Sequence, residues 1–342
     1  PAAAEILSPS PDPVAIIRGG RRLVPRLAQL ADGDAGQASH PPLDRGTVVL
    51  VTGGLGGVGE HVCRWLQDHY DAKLILLGTR EADELPAGRL RVYEALRSRS
   101  RYIHYAAAGG FEAERISAAV DAARDAWGLD DAPVGAIFHL AGSISLSHDP
   151  ARTHWEEMDR HFLRHERPET FGALFDAKVR GALSLYEWRQ RRAPGARMIV
   201  FSSVNGFFGG ASLGAYSAVS ALLESLCEQW SRTDPGIHCL SWSMWENVGL
   251  SAGIPDAVRR MSRNNGFEPV SVRAGLLSME HALRRGWRLA CVGLHPAGAA
   301  DLRDFEGLRP VFRLQASLEA GVDGEAFLRE KAAGIEAGLE SA

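Results

Sequence analysis

The run at residues 47–52 passes directly into Gly53-Gly54-Leu55-Gly56-Gly57-Val58-Gly59, and Val62, Trp65 and Leu66 then recur at helical spacing. Glycines at a strand-to-helix junction let the backbone turn sharply and approach an anion, while the amide groups of the helix start point at it. Thr52, Gly53, Gly54, Leu55, Gly57, Val58 and Gly59 are therefore read as a pyrophosphate cradle, with a dinucleotide as the natural ligand. Further apolar runs follow at 74–77, 102–106, 136–140, 198–201, 239–242 and 289–294, separated by stretches with helical periodicity. Strands that are continuously apolar and joined by crossover helices imply a parallel sheet covered on both faces. The fold class expected is doubly wound α/β.

Composition narrows the function. Lys+Arg minus Asp+Glu is 38 − 42 = −4, with both signs spread along the chain, so no basic face is available to displace counterions from nucleic acid. The longest apolar runs stop far short of the roughly 20 residues that span a bilayer. Cys63, Cys227, Cys239 and Cys291 lack any CxxC spacing, which argues against a disulfide framework or zinc site and for a reducing, cytoplasmic setting. The chain opens Pro1-Ala2-Ala3-Ala4 without a basic or apolar leader and reads as a piece of something longer.

Outside the α/β pattern, residues 13–27 read as two short strands hinged at Gly19-Gly20, a hairpin that must add to a sheet elsewhere. Residues 31–46 carry Gly, Ser, Asp and Pro and read as a linker, giving 1–30, 31–46, 47–315 and a tail of 316–342 as the organisation. No strand is expected in the tail.

The second strand ends at Gly78-Thr79-Arg80. An Arg where NAD-selective folds place an acid suits a ribose 2′-phosphate, so Thr79 and Arg80 favour NADPH over NADH. The fifth strand ends at Ser202-Ser203, and thirteen residues after Ser203 comes Tyr216, which opens a helical segment with Ser220, Leu223, Cys227 and Trp230 on one face. Ser203 and Tyr216 can thus meet above the carboxyl edge of the sheet, where open α/β sheets bind ligands.

With those residues in place, the sequence resembles the short-chain dehydrogenase/reductase superfamily and, within it, the ketoreductase domains of modular polyketide synthases. TGGLGGVG at 52–59, HLAG at 139–142, FDAKVRGAL at 175–183, IVFSS at 199–203, WSMW at 242–245 and NGFEPVSVRAGL at 265–276 carry the likeness, which extends over residues 13 to about 295. It implies a Rossmann-like catalytic domain with residues 13–27 as the remnant of a structural subdomain, and it adds Ala141 and Gly142 to the NADPH site. It implies that Tyr216 protonates the nascent alkoxide, that Lys178 stabilises the phenolate and contacts the nicotinamide ribose, and that Ser203 holds the carbonyl oxygen. A phenol ordinarily keeps its proton to about pH 10, so a neighbouring cation is what makes it a usable acid. The implied substrate is a β-ketoacyl thioester on an acyl carrier protein, and the other partners are neighbouring synthase domains.

Several positions depart from the family. Ser220 stands where the family places Asn, and Ala106 to Phe111 replace an Asp-Val pair near the adenine. Of two stereochemical fingerprints, one is replaced by Ile144-Ser145-Leu146, and Phe208 takes the place of the Trp that marks the other, a weak lean to that product type. The stretch between Gly142 and Lys178 is longer than the family's and holds His148, His154, His161 and His165 among Arg and Glu, which reads as a solvated helix and not as metal ligands. Residues 249–265 occupy the lid position, with Leu250, Ile254, Val258 and Met261 as its apolar stripe beside Trp245. The alternatives are a ketoreductase-like scaffold that binds cofactor poorly, to which Ser220 points, and a free-standing reductase of small ketones.

Overall fold

The computed structural model describes residues 16–18, 21–29, 42–109, 111–142, 165–210, 213–264, 266–294 and 311–317. Seven parallel strands form the body of one sheet: β3 (Val48–Thr52), β4 (Lys73–Gly78), β5 (Ile103–Ala107), β6 (Val134–His139), β7 (Arg197–Ser203), β8 (Ile237–Trp242) and β9 (Leu289–Val292). Their order is β9-β8-β7-β6-β3-β4-β5, so the chain winds outward in both directions from the pair β3/β6. That reversal opens a crevice at the carboxyl ends of β3 and β6.

Helices α1 (Gly57–Tyr70), α2 (Ala87–Arg99) and α9 (Val272–Arg284) cover one face, and α3 (Ala113–Trp127), α5 (Gly181–Arg192) and α7 (Gly214–Ser231) cover the other. The reason the central strands are so apolar is visible in β3: Val48 and Leu50 enter the core under α3, α5 and α7, while Val49 and Val51 enter the core under α1, α2 and α9. Two-sided burial removes the polar alternation of a half-exposed strand. The shorter helices are α4 (Pro168–Phe175), α6 (Asn205–Phe208) and α8 (Asp256–Asn264).

The N-terminal hairpin pairs β1 (Ile16–Arg18) with β2 (Arg21–Gln29), Arg18 opposite Arg21. Its route into the sheet is β10 (Val311–Ser317), which runs antiparallel to both β2 and β9. Pro25 lies beyond the described pairs with β1 and stands opposite Ala316 of β10. β10 falls outside the runs read as strands, although Phe312, Leu314 and Ala316 alternate with Arg313, Gln315 and Ser317. Of the expected linker, residues 31–41 lie outside the described residues, as do Ile144-Ser145-Leu146, His148, His154, His161 and most of the tail. Among the described residues no helix is long and apolar enough to cross a membrane.

Candidate active site

A cleft of about 510 Å³ runs along the carboxyl edge of the sheet. One end is lined by Gly53, Gly54, Leu55, Gly57, Val58 and Gly59. Gly53 adopts φ +72°, and a Cβ there would stand 2.8 Å from the backbone of Leu140 and Ala141, so the turn admits no side chain. The first-turn amides of α1 have no intrahelical partner, and Gly56 caps the helix without a side chain, which leaves these donors for an anion.

At the nucleoside end the lining residues include Gly78, Thr79, Arg89, Tyr105 and Phe111. Arg80 is exposed and does not line the cleft; its carbonyl accepts a bond from the Tyr105 hydroxyl at 2.8 Å. The cation on this wall is Arg89, from the first turn of α2, and its distance in sequence from the strand end hid it. Phe111 holds φ 62°, and its amide donates to the Ala108 carbonyl at 2.8 Å, in the stretch where the family was expected to carry Asp-Val.

The residues expected to carry proton transfer converge at the other end. Ser203 ends β7, Tyr216 lies in the first turn of α7, and Lys178 sits in a π-helical turn, Asp176–Arg180, between α4 and α5. All three line the cleft together with Ala141 and Gly142. The Lys178 Nζ stands 4.9 Å from the centroid of the Tyr216 ring, and the lysine is 3% exposed. Gly142 makes room for it: a Cβ at that position would lie 2.5 Å from the Lys178 Cγ.

Ser220 and Thr52 are fully buried and sit behind the cleft instead of in it. Among the described residues the Ser220 hydroxyl has no hydrogen-bond partner, while its carbonyl accepts from the Ser202 hydroxyl at 3.3 Å. One helical turn further along α7, the buried Glu224 accepts from the Ser241 hydroxyl at 2.6 Å. Burial pushes its carboxyl up to about 7, opposed by the bonds from Ser241 and Ser202 and by the Lys178 charge.

Across the cleft, Trp242, Ser243 and Trp245 form an aromatic and hydroxyl wall, with Trp242 and Trp245 ring centroids 4.8 Å apart. The Trp242 indole nitrogen and the Ser243 hydroxyl are buried without partners among the described residues. These orphaned groups, the glycine cradle and the bare helix start together fit a nicotinamide dinucleotide. Leu250, Ile254 and Val258 line the lid side, and a Cβ on Gly57 would stand 2.5 Å from the Gly249 nitrogen, so the lid base rests on the phosphate loop. The side chain of Met261 lies outside the described residues. Phe208 does not line the cleft; it packs edge-on to Phe267, which does, with centroids 5.3 Å apart. His165 is exposed, and among the described residues no group of His, Cys, Asp or Glu is arranged to hold a metal.

A family model for the KR (ketoreductase) domain matches residues 47–247, more than half of the chain. The chain belongs to the KR domain family. Among curated relatives, the KR chain is 30% identical over 249 residues to the pikromycin polyketide synthase component PikAII of Streptomyces venezuelae, covering 71% of this chain and 6% of that protein. It is 29% identical over 277 residues to the spectinabilin polyketide synthase system protein NorA of Streptomyces orinoci, covering 80% and 13%. The KR chain thus spans a small part of these relatives. Among solved structures, an adenylation, ketoreductase and pseudo-Asub multidomain structure of a keto acid-selecting NRPS module superposes with a TM-score of 0.71 at 25% identity, over 86% of this chain and 23% of the other. A-type ketoreductases from a modular polyketide synthase share the fold with a TM-score of 0.66 at 24% identity, over 90% and 60%.

Proposed function

We propose that this KR domain reduces a β-ketoacyl thioester, carried on an acyl carrier protein within a polyketide synthase, to the β-hydroxyacyl thioester with NADPH. The observation that carries this reading is the convergence of Lys178, Tyr216 and Ser203 at one end of a cleft whose other end is a glycine cradle. Bound NADPH supplies the hydride. As the carbonyl carbon gains it, charge grows on the oxygen, where the Ser203 hydroxyl donates a hydrogen bond and the Tyr216 hydroxyl delivers a proton. The Lys178 ammonium beside the ring stabilises the phenolate left behind. Gly53 to Gly59 hold the pyrophosphate, Arg89 with Thr79 meets the 2′-phosphate, and Trp245, Leu250, Ile254 and Val258 exclude water over the reacting groups.

Retention of all three proton-transfer residues favours an enzyme over a scaffold. A second reading rests on the 0.71 TM-score to the keto acid-selecting module: the carried substrate is an α-ketoacyl thioester. Both are tested by following NADPH consumption with β-ketoacyl and α-ketoacyl pantetheine thioesters side by side. Turnover of the β-keto compound at the higher kcat/KM supports the first reading, the reverse order supports the second, and cofactor binding without turnover of either supports the scaffold.

A further inference from the structure

Behind the cleft a buried hydrogen-bonded line joins the phosphate loop to the turn that carries Lys178. Thr52 ends β3, His139 ends β6, and the two are direct partners in the parallel register, so their side chains leave the same face of adjacent strands. The Thr52 Oγ1 lies 2.7 Å from His139 Nδ1, and His139 Nε2 lies 2.8 Å from the backbone carbonyl oxygen of Lys178. Thr52 and His139 are wholly shielded from solvent. A carbonyl can only accept, so Nε2 carries the hydrogen and donates it, and Nδ1 accepts from the Thr52 hydroxyl. The tautomer and the direction of both bonds are thereby set.

Burial drives the imidazole down to about 4, with the nearby Lys178 charge acting the same way against the bond to the lysine carbonyl, so the ring is neutral through the physiological range. The accepting carbonyl belongs to the π-helical turn, a geometry that departs from the regular ladder and is frequent at functional sites. The contact is close on both sides. A Cβ on Gly181, the residue after the turn, would stand 3.0 Å from His139 Cε1, while Gly142 walls the lysine side chain from the other direction.

We propose that His139 is a positioning residue that holds the Lys178 turn in register with the phosphate loop, so that seating the cofactor and placing the ammonium against Tyr216 are one event. The inference rests on the catalytic reading of Lys178 and Tyr216. Thr52 immediately precedes Gly53, where the loop turns, so the line transmits the loop's position to the lysine through two hydrogen bonds and no flexible side chain.

The test uses the whole chain with three variants. Thr52→Val removes one donor at constant shape, His139→Phe removes both bonds, and His139→Gln keeps an amide that can donate one way and accept the other. The expected result is a kcat lowered about tenfold or more in Thr52→Val and His139→Phe. NADPH affinity, read by nicotinamide fluorescence, stays within roughly threefold, and the Gln variant recovers most of kcat. Independently of turnover, 15N NMR of the histidine ring is expected to show the neutral Nε2–H tautomer from pH 6 to pH 8. Folded Thr52→Val and His139→Phe proteins with unchanged kcat would overturn the proposal, as would a ring in the other tautomer or one that titrates in that range. Should His139→Phe fail to fold, Thr52→Val decides. If the wild type reduces neither thioester, the reduction reading fails by itself, and the bridge is then judged by amide exchange at 178–181, which the proposal requires to rise about tenfold or more in Thr52→Val.

Discussion

Between Thr52 and Lys178 the floor of the cleft consists of strand ends and a π-helical turn held by buried hydrogen bonds, whereas the lid from Gly249 to Asn264 meets the rest through Leu250, Ile254 and Val258 and through long polar contacts, Arg259 to the Asn247 side chain at 3.5 Å and Arg263 to Glu268 at 3.7 Å. The floor is backed by cores on both faces of the sheet, and a methyl group on Gly53 or Gly59 would strike backbone. The lid has positive-φ glycines at Gly249 and Gly253, and a Cβ on Gly253 would meet nothing within 4 Å. A rigid floor fixes the distance between hydride donor and proton donor, where small errors cost much. A loosely packed lid suits the step in which substrate enters and leaves.

If the floor does the chemistry and the lid only admits substrate, changes in the two should differ in size and kind. Apart from loss of the Tyr216 hydroxyl itself, the largest effect is expected from Lys178→Met, a loss of about 10²- to 10³-fold in kcat at constant fold, measured by steady-state NADPH consumption. Next is Arg89→Ala, with NADPH affinity down about tenfold and NADH affinity unchanged, measured by fluorescence titration; Arg80→Ala, outside the cleft, should change either by less. Val258→Ser in the lid should lower kcat/KM by about threefold while the melting temperature moves by roughly 2 °C or less.

The smallest effect is on stability and involves Glu224. Its carboxyl sits at about 7 in the folded chain against an ordinary value of 4.5. The folded state therefore holds this proton more tightly than the unfolded state. The stability it contributes is fully present below about pH 4.5 and is lost as pH rises to about 7. Glu224→Gln, which can still accept from Ser241, should gain stability relative to the wild type across that interval and hold the gain above it, as followed by urea midpoints at several pH values. His139 and His238, both lowered to about 4, act in the opposite sense, losing stability as pH falls from 6.5.

The same contrast explains what could be read in advance. The seven parallel strands were legible because burial on both faces makes most of them strongly apolar, and the turn of the glycine loop because its residue types and its place between strand and helix are both constrained. That Ser203, Tyr216 and Lys178 share one cleft followed from their spacing and the family resemblance, though nothing local to Lys178 signals a π-helical turn. β10 was missed because a short run of alternating apolar and polar residues looks like many surface segments, and its longer pairing, with β2, joins it to the opposite end of the chain. Arg89 was missed because it reaches the cleft from a helix and not from the strand end. His139 was legible only as a letter in a motif; its bond to Thr52 depends on the register of two strands 87 positions apart, which no local pattern encodes.

The most direct test of the central claim compares the wild type with Tyr216→Phe in NADPH consumption with a β-ketoacyl pantetheine thioester, cofactor binding being followed by nicotinamide fluorescence in the same samples. The account predicts that the variant binds NADPH as the wild type does and loses about 10²- to 10⁴-fold in turnover. Equal turnover in the two proteins would contradict it.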